Sequence, residues 1–129
     1  MQTFKKEERL HEKKIIKELF EKGFNFYVSP FKVLYIDTDF DGKYPAKVLI
    51  SVPGKNFKKA VDRNRIKRLM REAYRKNKHI LYNALGNSSK KIAIALLYTG
   101  KVMISYSEVE PKIILILQRL VKENEEITE

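Results

Sequence analysis

Apolar residues first recur at helical spacing over residues 7 to 22. Leu10, Ile15, Ile16, Leu19 and Phe20 sit at that spacing, and Gly23 follows as a stop. The period then changes. FKVLYIDT, from Phe31, alternates and is rich in β-formers, which predicts a strand. DFDGKYP reads as a turn, AKVLISV as a second strand closed by VPGKN, and a short strand is expected near Tyr27 to Ser29. A helix is predicted from about Lys58 to Leu85. SSKKIAIALLYTG then reads as a loop and a buried strand, and SYSEVEPKIILILQRLVKEN as a last helix. Ser107 with Glu110 has the spacing of a capping box, and Pro111 suits a first turn. The order predicts an α+β fold with a small, mainly antiparallel sheet. Without repeats or low-complexity linkers, residues 1–129 are expected to form a single domain.

The long central helix is the least ordinary element. On a helical wheel Ile66, Leu69, Met70 and Ala73 fall on one side and should meet the sheet. Arg65, Lys67, Arg68, Arg71, Arg75 and Lys78 fall on the other, over an arc of roughly 160°. Glu72 alone interrupts them. Like charges three or four apart cost a few tenths of a kcal/mol each on an isolated helix. A solvated face would normally mix signs, as the first helix does with Glu7, Glu8, Glu12 and Glu18. Arginine adds a planar fork matched to phosphate. Arg63, Asn64 and Arg65 occupy the first turns, with Lys55, Lys58 and Lys59 just before and Asp62 as a cap.

Composition narrows the reading. The net charge is +11, from 27 Lys+Arg against 16 Asp+Glu. A polyanion would relieve that excess, so nucleic acid, an anionic membrane and acidic proteins are the candidate partners. There is no cysteine, which excludes disulfides, thiolate metal sites and a cysteine nucleophile and fits a reducing cytosol. IAIALLY and IILIL are far shorter than the roughly 18–20 apolar residues that span a bilayer, and the N-terminus lacks an apolar export signal.

AVDRNRIKRLMREAYR resembles the RNR motif of the bacterial ribonuclease P protein subunit. ERLHEKKIIKELFEKG is similar to that family's first helix, FKVLYI to its next strand, and VLISVPGKNFKKAV to the strand and loop before the motif. IAIAL and the final helix follow in the family's order, so the resemblance covers about residues 4 to 122. It implies an α–β–β–β–α–β–α sandwich with a left-handed βαβ crossover. The implied role is to bind a catalytic RNA and assist removal of the 5′ leader from precursor transfer RNA. The RNA would supply the active site and its Mg2+ ions, and the protein alone would not be catalytic. By position, Arg63, Asn64, Arg65, Lys67, Arg68, Arg71 and Arg75 would meet the catalytic RNA. The leader would lie in a cleft between the sheet and the first helix. Phe20 matches a family phenylalanine there, and Ile16 stands where many members have a second one. Tyr35 is the candidate on the sheet and Lys55 a further one. A register slip would place Leu34 at the cleft instead, and Phe20 and Tyr35 could equally be core aromatics. A cytoplasmic monomer without membrane attachment is expected.

Other readings are weaker. Another ribosome-associated or DNA-binding module would share the charge, and a membrane-surface helix would need its apolar face free. DTDFDG begins like a calcium loop, but Val48 stands where the bidentate glutamate belongs. His11 and His79 have no partners at ligand spacing, and Asp37, Asp39 and Asp41 fall in a predicted hairpin.

Overall fold

A computed structural model describes residues 4–86 and 90–128; the loop expected at Ser88 and Ser89 lies outside them. A 3₁₀ turn (Lys6–Glu8) leads into α1 (Lys13–Lys22), followed by β1 (Phe24–Val28), β2 (Phe31–Asp37) and β3 (Ala46–Ser51). Then come α2 (Ala60–Asn77), α3 (His79–Leu85), β4 (Ile92–Tyr98) and α4 (Tyr106–Thr128). The sheet order is β1-β2-β4-β3, with β1–β2 and β2–β4 antiparallel and β3–β4 parallel. Chain reaches β4 from β3 through α2 and α3, the crossover that parallel neighbours require.

The two faces of the sheet carry different loads. One face presents Phe31, Val33, Tyr35, Val48, Ile92, Ile94, Leu96 and Tyr98. Ile66, Met70, Ala73 and Tyr74 of α2 and Val109, Ile113, Ile116, Leu117 and Leu120 of α4 close over it. The other presents Leu34, Ala93 and Ala95, on which Leu10 and Leu19 pack. The two alanines leave room for α1 to lie close. With ten residues, α1 is only about 15 Å long and covers only part of that face.

Four expectations change. The first helix starts at Lys13 rather than residue 7. Before it, Arg9 bridges Val48 in parallel, and the Leu10 N–H donates to the Val48 carbonyl at 3.0 Å. The outer edge of β3 needs partners, and satisfying it overrides helical periodicity. The strand expected near Tyr27 is a full five-residue β1, joined to β2 through Ser29 and Pro30. The single basic helix is two, divided at Lys78. There the Asn77 side chain takes the Ala73 carbonyl at 2.9 Å, and Lys78 turns inward. The box at the start of α4 uses Ser105 and Glu108, the earlier of two overlapping S-x-x-E spacings. Glu108 Oε2 accepts from the Ser105 N–H at 3.0 Å. Starting α4 there buries Val109 and puts Pro111 in the second turn instead of the first.

Among the described residues no helix is long and apolar enough to cross a membrane.

Candidate nucleic-acid interface

The apolar side of α2 is consumed by the core: Ile66, Met70, Ala73 and Tyr74 are fully buried, with Leu69 packed at the margin. That fixes the opposite side toward solvent. Asn64, Arg65 and Arg68 are exposed, and Lys67 and Arg71 are half-buried. Among the described residues, no carboxylate lies within salt-bridge distance of Arg65, Lys67, Arg68 or Arg71. Burial, and then the neighbouring Arg9 and Arg68 cations, hold the Arg71 guanidinium below its ordinary pKa. Arginine does not give up its proton under working conditions, so only an anion relieves this crowding.

The two ends of the motif behave differently. Arg63 Nη1 donates to the Phe57 carbonyl at 2.6 Å and to the Lys58 carbonyl at 3.2 Å. It therefore holds the loop that carries Lys55 and Lys58 against the start of α2. Arg75 is gripped by Glu72 in a two-point fork, Nη2 to Oε1 at 2.6 Å and Nε to Oε2 at 3.1 Å. That fork raises the Arg75 pKa and lowers that of Glu72. Lys76 also reaches Glu72, at 3.8 Å. Uncompensated charge thus runs from Arg65 to Arg71 and stops at Glu72. Arg75 is grouped with the others by sequence, but the structure separates it.

A second surface lies on the α1 side of the sheet. Cross-strand partners Asn25, Leu34, Ala95 and Leu49 form one row there. The next row, Tyr27, Lys32, Leu97 and Ser51, lies beyond it. Tyr27 is 52% exposed and Lys32 is exposed, whereas Leu34 is buried. The Tyr27 hydroxyl meets Thr99 Oγ1, which donates onward to the Pro30 carbonyl at 2.9 Å. Phe20, 50% exposed, stands near the end of α1; Ile16 is half-buried against the Leu19–Leu34 cluster. The open part of this face beside α1, a trough between the helix and the sheet edge, exposes Tyr27 and Lys32 on the sheet, and Phe20 is exposed on α1. Lys55 is exposed in the loop that leaves the Ser51 end.

Tyr35 is not in this trough. It is 2% exposed on the opposite face, stacked on Phe24 at 5.5 Å, and its hydroxyl donates to Glu123 Oε2 of α4 at 2.9 Å. Burial and that carboxylate push the Tyr35 phenol upward. The one-residue alternative, Leu34, faces α1 but is covered by it. On the α1 side of the sheet the exposed aromatic among the described residues is Tyr27, whose signal in the sequence is the alternation of FNFYV once that stretch is taken as a strand.

Among the described residues no three His, Asp or Glu side chains assemble into a metal-binding group. In the calcium-like turn, Lys91 Nζ already donates to the carbonyls of Phe40 at 2.6 Å and Gly42 at 2.7 Å. A concavity of about 540 Å³ lies apart from both surfaces, between Val28 and the Leu115–Glu123 stretch of α4.

A family model described as Ribonuclease P matches residues 4–121. The ribonuclease P protein component of Porphyromonas gingivalis is 38% identical over 106 residues, covering 81% of this chain and 77% of that protein. That of Petrotoga mobilis is 34% identical over 119 residues, covering 92% and 96%. Among solved structures, the RNase P protein from Thermotoga maritima superposes with a TM-score of 0.68 at 26% identity, covering 87% of this chain and 96% of that one. The Staphylococcus aureus RNase P protein shares the fold, with a TM-score of 0.65 at 19% identity over 88% and 94% of the two chains. On the family model and these relatives, the chain belongs to the ribonuclease P protein family.

Proposed function

We propose that this ribonuclease P protein component uses its two surfaces for two RNAs. The Arg65–Arg71 side of α2 docks on the catalytic RNA of the ribonucleoprotein. The trough between α1 and the sheet holds the 5′ leader of precursor transfer RNA, so that the enzyme can remove it. The observation that carries this reading is the run Arg65, Lys67, Arg68 and Arg71, without a counter-charge among the described residues, on a helix whose apolar side is already spent. Such a surface recognises phosphate and shape rather than base identity. In the trough, Phe20 and Tyr27 offer ring faces to unstacked bases, while Lys32 and Lys55 follow the backbone. Cleavage chemistry and its Mg2+ belong to the RNA in this proposal; the protein seats the substrate and screens charge. A cytoplasmic monomer meeting its partner RNA suffices for these roles.

The test is reconstitution. Purified protein alone should leave precursor transfer RNA intact. With the catalytic RNA it should restore leader removal at Mg2+ concentrations where the RNA alone is slow. Structured RNA should displace duplex DNA from it at fixed salt. Cleavage by protein free of RNA, or a preference for duplex DNA with base discrimination, would overturn the proposal.

A further inference from the structure

The N-terminal segment before α1 does more than extend the sheet edge. Glu8 turns fully inward, where Lys78 Nζ and the Tyr82 hydroxyl meet its Oε1 at 2.5 and 2.6 Å. The next residue bridges Val48, so the chain is fixed on both sides of one position. Arg9 is thereby held outward and exposed. Its Cζ lies 5.2 Å above the Phe4 ring, and that ring meets Tyr74 edge-on at 5.4 Å. Tyr74 follows Arg71 by three residues, so the two are neighbours along α2. Arg9, from a different part of the chain, therefore lies beside the stretch of α2 that carries Arg71, and the Arg9 and Arg68 cations both bear on the Arg71 guanidinium. Among the described residues none of the three has a carboxylate within salt-bridge distance. The acid adjacent to Arg9, Glu8, is committed to Lys78.

We propose that Arg9, Arg68 and Arg71 form a phosphate clamp, built from two chain segments, that grips the sugar-phosphate backbone of the catalytic RNA beside the β3 edge. This rests on the reading that α2 faces that RNA, and it extends the contact beyond the α2 motif onto the N-terminal segment. Each guanidinium can grip phosphate through two parallel N–H bonds, and donors from two chain segments can reach one phosphate or two adjacent ones. A rigid anchor matters because a guanidinium already fixed over an aromatic ring loses little freedom on binding.

Arg9→Gln keeps a long side chain over Phe4 and removes the charge. Affinity for the catalytic RNA is measured across a monovalent salt series for the full chain, with Arg65→Ala/Arg68→Ala as reference and thermal unfolding as control. Arg9→Gln should weaken binding several-fold, with its log–log salt slope reduced by about 1, and Arg9→Lys should recover most of the slope. Arg9→Gln with Arg71→Gln should lose less than the two separately. Because the chain has no cysteine, Arg9→Cys also carries a single photo-crosslinker, and it should label the catalytic RNA. An unchanged slope and no crosslink at position 9, while the reference pair weakens binding, would overturn the clamp and leave the α2 interface standing. No effect from the reference pair either would remove the interface and the clamp together.

Discussion

Glu8 and Lys78, seventy residues apart, form a buried ion pair with Nζ 2.5 Å from Oε1. It ties the segment before α1 to the joint between α2 and α3. Burial alone would raise the Glu8 pKa. The hydrogen bonds from Lys78, Tyr82 and the Lys5 N–H outweigh that and leave it lowered. Glu8→Ala would strand an ammonium in the interior, at a cost of about 3–5 kcal/mol. Chemical denaturation of the variant should show that loss, and Lys78→Met should behave similarly by stranding the carboxylate.

The same pair sets a pH dependence. A carboxylate whose folded pKa is depressed contributes stability that is fully present above its unfolded value, near 4.5. The contribution is lost as pH falls through the lower folded value. Glu12, beside Lys47, shifts in the same direction, because its hydrogen bonds outweigh burial. Unfolding free energy should therefore decline below about pH 4.5. Glu8→Gln should be less stable at neutrality with a shallower acid decline, measured by denaturation at pH 3 to 7.

The charge pattern on α2 was legible because Ile66, Met70 and Ala73 repeat with the helical period, and one face determines the other. The Glu8–Lys78 pair was not, since no local pattern links residues so far apart. Nor was the side of β2 that faces α1. Val33, Leu34 and Tyr35 are all buried, because β2 is an interior strand covered on both faces, and alternation vanishes there. The start of α1 departs from the helical period for a related reason: Leu10 is as buried as a helical residue would be, but beside β3.

Tyr27 and Tyr35 should separate recognition from stability. Tyr27→Ala removes an exposed ring from the trough and should weaken leader-dependent binding by about 1–3 kcal/mol per base that stacks on it. Tyr35→Phe removes the bond to Glu123 and should cost about 1 kcal/mol of folding stability, leaving leader recognition unchanged. Comparing precursor and mature transfer RNA affinities in the reconstituted enzyme distinguishes them. Equal leader defects in both would place the trough on the wrong face.

Arg68 and Arg75 are one another's control on the basic face. Arg68→Ala should weaken catalytic-RNA binding and reduce its salt slope by about 1, as expected for one lost phosphate contact. Arg75→Ala should change both far less, because Glu72 already occupies its fork. Glu72→Gln then becomes the informative variant. It removes the two-point fork on Arg75 and the Lys76 contact with that carboxylate, and with them the acid that interrupts the face. Its RNA affinity should rise and its salt dependence steepen, by titration at two or more salt concentrations. If Glu72→Gln binds no better than the parent chain, the fork is not what keeps Arg75 out of the interface, and the boundary drawn at Glu72 fails.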